Sequence, residues 1–239
     1  MVETGANVRH VCYGFGMTLS QGYMRFPFAL GLVVALLGPP VSEAADRKQA
    51  SDPWIASVRL IRDGALDGSG IYLKSGLVIT AAHLTAAEAK MGVQIAGVAL
   101  PATVLKQGSF EDVDLTLLSI DEEKLPLKLP QMQLCAAPPK PGDAVIVVDY
   151  ANAARSHIVS PQILPDKFQD KFATLIGDVA TTGNSGSGVF DPKHKCLLGI
   201  MSRKFISHIA EGDKEIAKYF VSAVAIRDFI PAEFTSLKW

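Results

Sequence analysis

Gly183-Asn184-Ser185-Gly186-Ser187-Gly188 sets a serine in a glycine-dense turn just ahead of a short apolar segment. Glycine lets the backbone curl so that consecutive N–H groups point into one space. A nucleophilic serine needs such a nest, because the oxyanion of a tetrahedral intermediate forms close to its own backbone. On this reading Ser185 attacks, and the N–H groups of Gly183 and Ser185 receive the negative charge. Taken alone, a Gly/Ser-rich turn is more often a plain hairpin loop. Its partners decide. A serine hydroxyl is a poor nucleophile near neutral pH, so it needs a base, and the base must be held in one tautomer. Of the five histidines, His10 precedes the first apolar run, and His157, His194 and His208 fall in polar, turn-like stretches. His83 differs, because it ends Leu77-Val78-Ile79-Thr80-Ala81-Ala82-His83, an apolar strand followed by small residues that leave room around an imidazole. The third member should be a carboxylate that opens a buried segment. Asp114, at the head of Asp114-Leu115-Thr116-Leu117-Leu118, fits that description. Asp112, two residues earlier, is its rival, with an exposed turn as its plainer role.

The elements that must position these residues read as β-structure. From Trp54 onward the apolar runs are short, mostly two-periodic and rich in Val, Ile and Leu, with Gly, Asp, Ser and Pro between them. Six strands are predicted at 54–61, 69–73, 77–80, 93–96, 99–106 and 115–120. Pro126, Pro130, Pro138, Pro139 and Pro141 then exclude a helix or a central strand and mark a linker. Six more strands follow at 144–149, 155–160, 172–177, 188–190, 196–202 and 219–224. Ile226, Phe229 and Ile230 lie at helical spacing in 225–234, up to the limit set by Pro231. The expected fold class is all-β: two six-stranded antiparallel barrels and a short C-terminal helix, since closure removes sheet edges that invite aggregation. The boundaries that follow are 51–121 for the first barrel, 122–142 for the linker and 143–239 for the second barrel and helix.

Bulk properties narrow the partners. With 23 basic against 24 acidic residues in a chain of 239, no basic stripe favours nucleic acid. Met24-Arg25, the apolar run 26–37, Gly38-Pro39-Pro40 and Ser42-Glu43-Ala44 read as a signal peptide over 24–45. That run is shorter than the roughly 20 residues a membrane helix needs. Translation is expected to begin at Met24, leaving 1–23 and Cys12 as an upstream extension without function, and the mature chain as secreted or periplasmic and monomeric, free of the membrane. Export leaves Cys135 and Cys196 where thiols oxidise, so they are a candidate disulfide pair, with two buried free thiols as the alternative. Neither Cys-x-x-Cys nor His-x-x-x-His occurs, so no metal site and no cofactor are expected.

Across 54–234 the chain resembles the trypsin and chymotrypsin-like serine peptidases. Gly68-Ser69-Gly70-Ile71 through Thr80-Ala81-Ala82-His83 resembles the strand pair that leads to the catalytic histidine of that family. Asp114-Leu115-Thr116-Leu117-Leu118 resembles its aspartate segment, Gly183-Asn184-Ser185-Gly186-Ser187 its nucleophile loop, and Gly199-Ile200-Met201-Ser202 the strand beside its primary pocket. Serine last in the order also separates the chain from α/β-hydrolases. The spacing is similar to the compact bacterial branch, which includes glutamyl endopeptidases and periplasmic heat-shock protease domains. The resemblance implies a cofactor-free serine endopeptidase acting on polypeptides, with His83 as base, Asp114 as its orienting carboxylate and Ser185 as nucleophile. It also implies a bond from Ser202 to Asp114 and a primary pocket near Val179, Ala180, Lys204 and Ala217. Departures limit what carries over. Asn184 replaces the aspartate that pairs with a new N-terminus in digestive zymogens, so activity is expected without release of an N-terminal Ile or Val. Val179 argues against a preference for Arg or Lys, and Met201 stands where glutamyl endopeptidases carry a histidine. Arg203 and Lys204 either attract an acidic side chain or are solvated cations on a strand edge. The rival reading is a silent binding module, with Arg203, Lys204 and Phe205 blocking the pocket.

Overall fold

The computed structural model describes residues 53–86, 88–125, 127–177, 185–209 and 212–235. The expected upstream extension at 1–23 and signal peptide at 24–45 lie outside them.

The first six strands are β1 (Ser57–Arg62), β2 (Ala65–Lys74), β3 (Leu77–Thr80), β4 (Met91–Ile95), β5 (Val98–Gln107) and β6 (Thr116–Ile120). They close into an antiparallel barrel in the order β1-β2-β3-β6-β5-β4, with β4 paired back onto β1. Local chemistry sets three of its hairpins. Asp63-Gly64, Ser75-Gly76 and Ala96-Gly97 are two-residue loops with positive φ at both positions, the turn geometry that matches the twist of paired strands.

The second barrel comprises β7 (Ala144–Val148), β8 (Ala153–Val159), β9 (Leu175–Ile176), β10 (Gly188–Asp191), β11 (Cys196–Ile209) and β12 (Gly212–Ser222). It closes in the order β10-β11-β12-β9-β8-β7. Two elements differ from the sequence expectation. Of the strand expected at 172–177 only Leu175 and Ile176 pair, because Phe172 instead donates its N–H to Phe168 and ends a helical turn. In contrast, β11 and β12 run on well past 202 and start well before 219 as one long hairpin. His208, expected in a turn, lies in β11 opposite Asp213. Charged residues from Arg203 onward hide this extension from an apolar pattern. Cross-strand bonds sustain it.

The chain between the barrels runs across both. Met132 donates its N–H to Leu73 of the first barrel, and Cys135 and Leu197 are bonded across to the second. Ser222 caps the helix Ala223–Phe229 by accepting from the Ala225 N–H, and Ile230 ends it one residue before Pro231. Ile226, Phe229 and Ile230 are buried in a cluster that also holds Leu100 and Leu117 of the first barrel and Val221 of the second.

Candidate active site

His83 and Asp114 come from the first barrel, in the segments that follow β3 and precede β6. Their strands are neighbours, with Thr80 paired opposite Thr116, which brings the two segments side by side. The Asp114 carboxylate is 1% exposed and accepts three hydrogen bonds. His83 Nδ1 lies 2.8 Å from Oδ2, the His83 backbone N–H donates to Oδ1 at 3.0 Å, and Ser202 Oγ donates to Oδ2 at 2.6 Å. A carboxylate only accepts, so Nδ1 carries the ring proton and Nε2 is left as a base. Burial alone would push the Asp114 carboxyl up. The bonds from His83 and Ser202 outweigh it and hold the group below the usual carboxylate range. The His83 ring is 27% exposed and meets the edge of Phe110, with ring centroids 5.3 Å apart at 82°. Asp112 lies in an exposed turn, its N–H bonded to Ser109.

Ser185 and Ser202 come from the second barrel. Partly exposed Ser185 lies in the turn that leads into β10, and the backbone around it is anchored on both sides. Ser69 of β2 donates its N–H to the Ser185 carbonyl at 3.2 Å, and Gly186 donates to the Met201 carbonyl at 2.9 Å. Gly186 has φ +83°, and a Cβ there would lie 1.8 Å from the Ser69 carbonyl oxygen, so the close approach of the barrels requires glycine. Ser202 owes its direction to a β-bulge. Met201 pairs with Phe220 and Arg203 with Tyr219, so Ser202 is an extra residue in β11, turned towards Asp114.

His83 and Ser185 line one cavity of about 560 Å³, together with Phe110, Met201, Ser202, Arg203, Lys204, Glu215 and Lys218. Gly183, Val179 and Ala180 lie outside the described residues. Lys204 is at the cavity, but Ala217 is not: it is buried with Leu164, Phe172 and Leu175. Ala217 pairs with Phe205 and shares its buried face, whereas Lys218 pairs with Lys204 and faces the cavity with it. A second bulge lies in β12, where Phe205 pairs with Ala217 and Ile206 with Glu215, so Ile216 is extra and the alternation inverts. The bulge thus sets Glu215, and not Ile216, beside Lys218 at the cavity, with 3.4 Å between their charged groups. Arg203 is not a solvated cation either, since its guanidinium lies over Phe110. Sequence reasoning passed over Phe110, although an aromatic residue in the polar loop ahead of Asp114 was a visible signal. Cys135 and Cys196 form a disulfide beside the second barrel. Among the described residues no three His, Cys, Asp or Glu side chains converge to hold a metal.

Paired closed barrels and this constellation define a chymotrypsin-like peptidase fold. The family model for the trypsin-like peptidase domain matches residues 68–200, more than half of the 239 residues, and the chain belongs to that family. Among solved structures it is similar to the Rv3671c protease of M. tuberculosis in its inactive form, with a TM-score of 0.55 and 21% identity over 78% of this chain and 91% of that one. It is also similar to kallikrein-related peptidase 10 in a complex with Zn2+, with a TM-score of 0.58 and 18% identity over 78% of this chain and 96% of that one. A comparison with curated protein sequences finds no match.

Proposed function

We propose that this chain is an exported serine endopeptidase that cleaves peptide bonds through an acyl-enzyme. The observation that carries the reading is a buried carboxylate orienting the His83 imidazole at a cavity that Ser185 also lines. In the first step Ser185 Oγ bonds to the substrate carbonyl carbon as its proton passes to His83 Nε2. The C–N bond then breaks, and the imidazolium returns that proton to the leaving amine. Water then bonds to the acyl carbon as it gives a proton to His83, the C–O bond to Ser185 breaks to release the acid, and the imidazolium passes that proton to Ser185 Oγ. Asp114 stays ionised and stabilises the imidazolium, while the N–H groups of Gly183 and Ser185 bind the oxyanion. The side-chain preference resides in a cavity with three cations, Arg203, Lys204 and Lys218, and one carboxylate, Glu215.

Incubating the mature chain, from about Ala45, with a peptide library and a fluorophosphonate probe tests the reading and reads out the preference together. Wild type is expected to cleave and to be labelled at Ser185. Ser185→Ala should lose labelling and cut at no more than the residual level of about 10⁻⁴ to 10⁻⁶ left by removal of such a nucleophile, with unchanged thermal unfolding. Equal proteolysis by the variant would defeat the assignment. A protein that is not labelled and cuts no member of the library would favour the binding-module alternative. Export is read from the apolar run at 26–37 and supported by the disulfide, and the N-terminus of the protein recovered from the periplasm or medium tests it.

A further inference from the structure

Arg203 lines the cavity, yet its guanidinium is already engaged. Its central carbon lies 3.8 Å from the Phe110 ring centroid and 5.1 Å from that of Phe172. One terminal N–H donates to the Phe110 carbonyl, and Nε–H donates to Ser202 Oγ at 3.4 Å. Phe110 in turn sets its ring against His83, and Ser202 donates to Asp114. Two lines of contact thus leave one cation and end on the two members of the His83–Asp114 pair. They cross between barrels, since Phe110 lies between β5 and β6, whereas Arg203 lies on β11.

We propose that Arg203 is a positioning residue that fixes the imidazole through Phe110 and the carboxylate through Ser202. The proposal rests on the peptidase reading for the purpose of that positioning. The geometry itself does not. Phe110 is 40% exposed, so burial gives its ring little reason to stay on His83. A guanidinium supplies that reason, because it is planar and attracts an aromatic face while its N–H groups donate in plane. A lysine ammonium is a point charge that cannot do both. The bond to Ser202 also occupies a lone pair of the hydroxyl and leaves its single O–H for Asp114. Lys171 holds the same loop by donating to the Glu111 carbonyl at 2.8 Å, but without a contact to Ser202, and so provides a control.

Two readouts test this: the rate of fluorophosphonate labelling at Ser185, and solvent exchange of the His83 Nδ1 proton seen by NMR. Arg203→Ala should slow labelling by about 10- to 100-fold, the scale of an ångström-sized misplacement of a reacting group. It should also speed exchange of the Nδ1 proton. Arg203→Lys should not rescue either property, and Lys171→Ala should leave both as in wild type. Phe110→Ala should reproduce the share of the loss carried by the His83 arm, and adding it to Arg203→Ala should cost no more than Arg203→Ala alone, since that variant already cuts both arms. Wild-type labelling and exchange in Arg203→Ala, or full rescue by Arg203→Lys, overturns the proposal. Should Arg203→Ala not fold, Phe110→Ala carries the same test through the His83 arm. If wild type itself is never labelled, the peptidase reading fails, and proton exchange alone then decides the clamp: faster in Arg203→Ala supports it, unchanged overturns it.

Discussion

Asp114 combines nearly complete burial with three donated hydrogen bonds, and the balance between these opposed effects keeps it ionised. Because its native pKa lies below the unfolded value, the ionised group stabilises the fold at every pH above that unfolded value. This contribution is lost as the pH falls through the native value. Ser202→Ala removes one of the donors and raises the native value towards the unfolded one, so the contribution is smaller from the start and is exhausted at a higher pH. The acid-unfolding midpoint followed by circular dichroism should therefore move up. At neutral pH the same variant should lose about 1.5–3 kcal/mol, the worth of a hydrogen bond to a charged group. An unmoved acid midpoint would show that Ser202 does not help to hold the carboxylate. At this scale the sequence displays residue types at strand ends, which is how His83, Asp114 and Ser185 stand out among the polar residues. It does not display stacking between residues as distant in the chain as Phe110, Phe172 and Arg203, because nothing in local patterning encodes that meeting.

At the scale of elements, alternation and turn chemistry made the two barrels legible. β3 runs over Leu77–Thr80 as its apolar pattern predicts, and both sets of six strands close as expected. Bulges were not legible. Ser202 and Ile216 each insert one residue into a ladder, and a period-two pattern read through them assigns the wrong face to what lies beyond. The long β11–β12 hairpin stayed hidden for a related reason, since half-exposed strands stabilised by cross-strand pairing need no apolar run. The turn before β10 is the element where local and global demands coincide most closely. Gly186→Ala would combine a strained positive φ with a Cβ pressed on the Ser69 carbonyl, and the barrels would have to separate to relieve it. The expected cost is more than about 2 kcal/mol, above that of a simple backbone substitution. Labelling of Ser185 should fall with it. Thermal unfolding at the wild-type temperature would show that the turn tolerates a side chain and that the contact between the barrels is loose.

The site belongs to the whole molecule, because His83 and Asp114 are held by one barrel and Ser185 and Ser202 by the other. The main hydrophobic cluster does not respect that division. It runs from Leu60 and Leu118 in the first barrel through Met132 and Leu134 to Phe190 and Ile200 in the second, and on to Ile226 and Phe229 of the helix. Burial shared in this way couples the barrels, so neither should unfold while the other persists. Urea titrations followed by far-ultraviolet circular dichroism, by near-ultraviolet circular dichroism and by the labelling rate of Ser185 should then show one coincident transition. The disulfide adds to this coupling by closing a separation of 61 residues that joins the inter-barrel segment to β11. Cross-linking at that distance restricts the unfolded chain and typically stabilises by about 2–4 kcal/mol. Replacing Cys135 and Cys196 together by Ala should therefore lower the urea midpoint for all three probes alike and leave labelling in the folded range near wild type. A labelling transition that precedes the loss of β-structure would instead mean that the barrels part first, and that burial across their boundary is weaker than the packing within each.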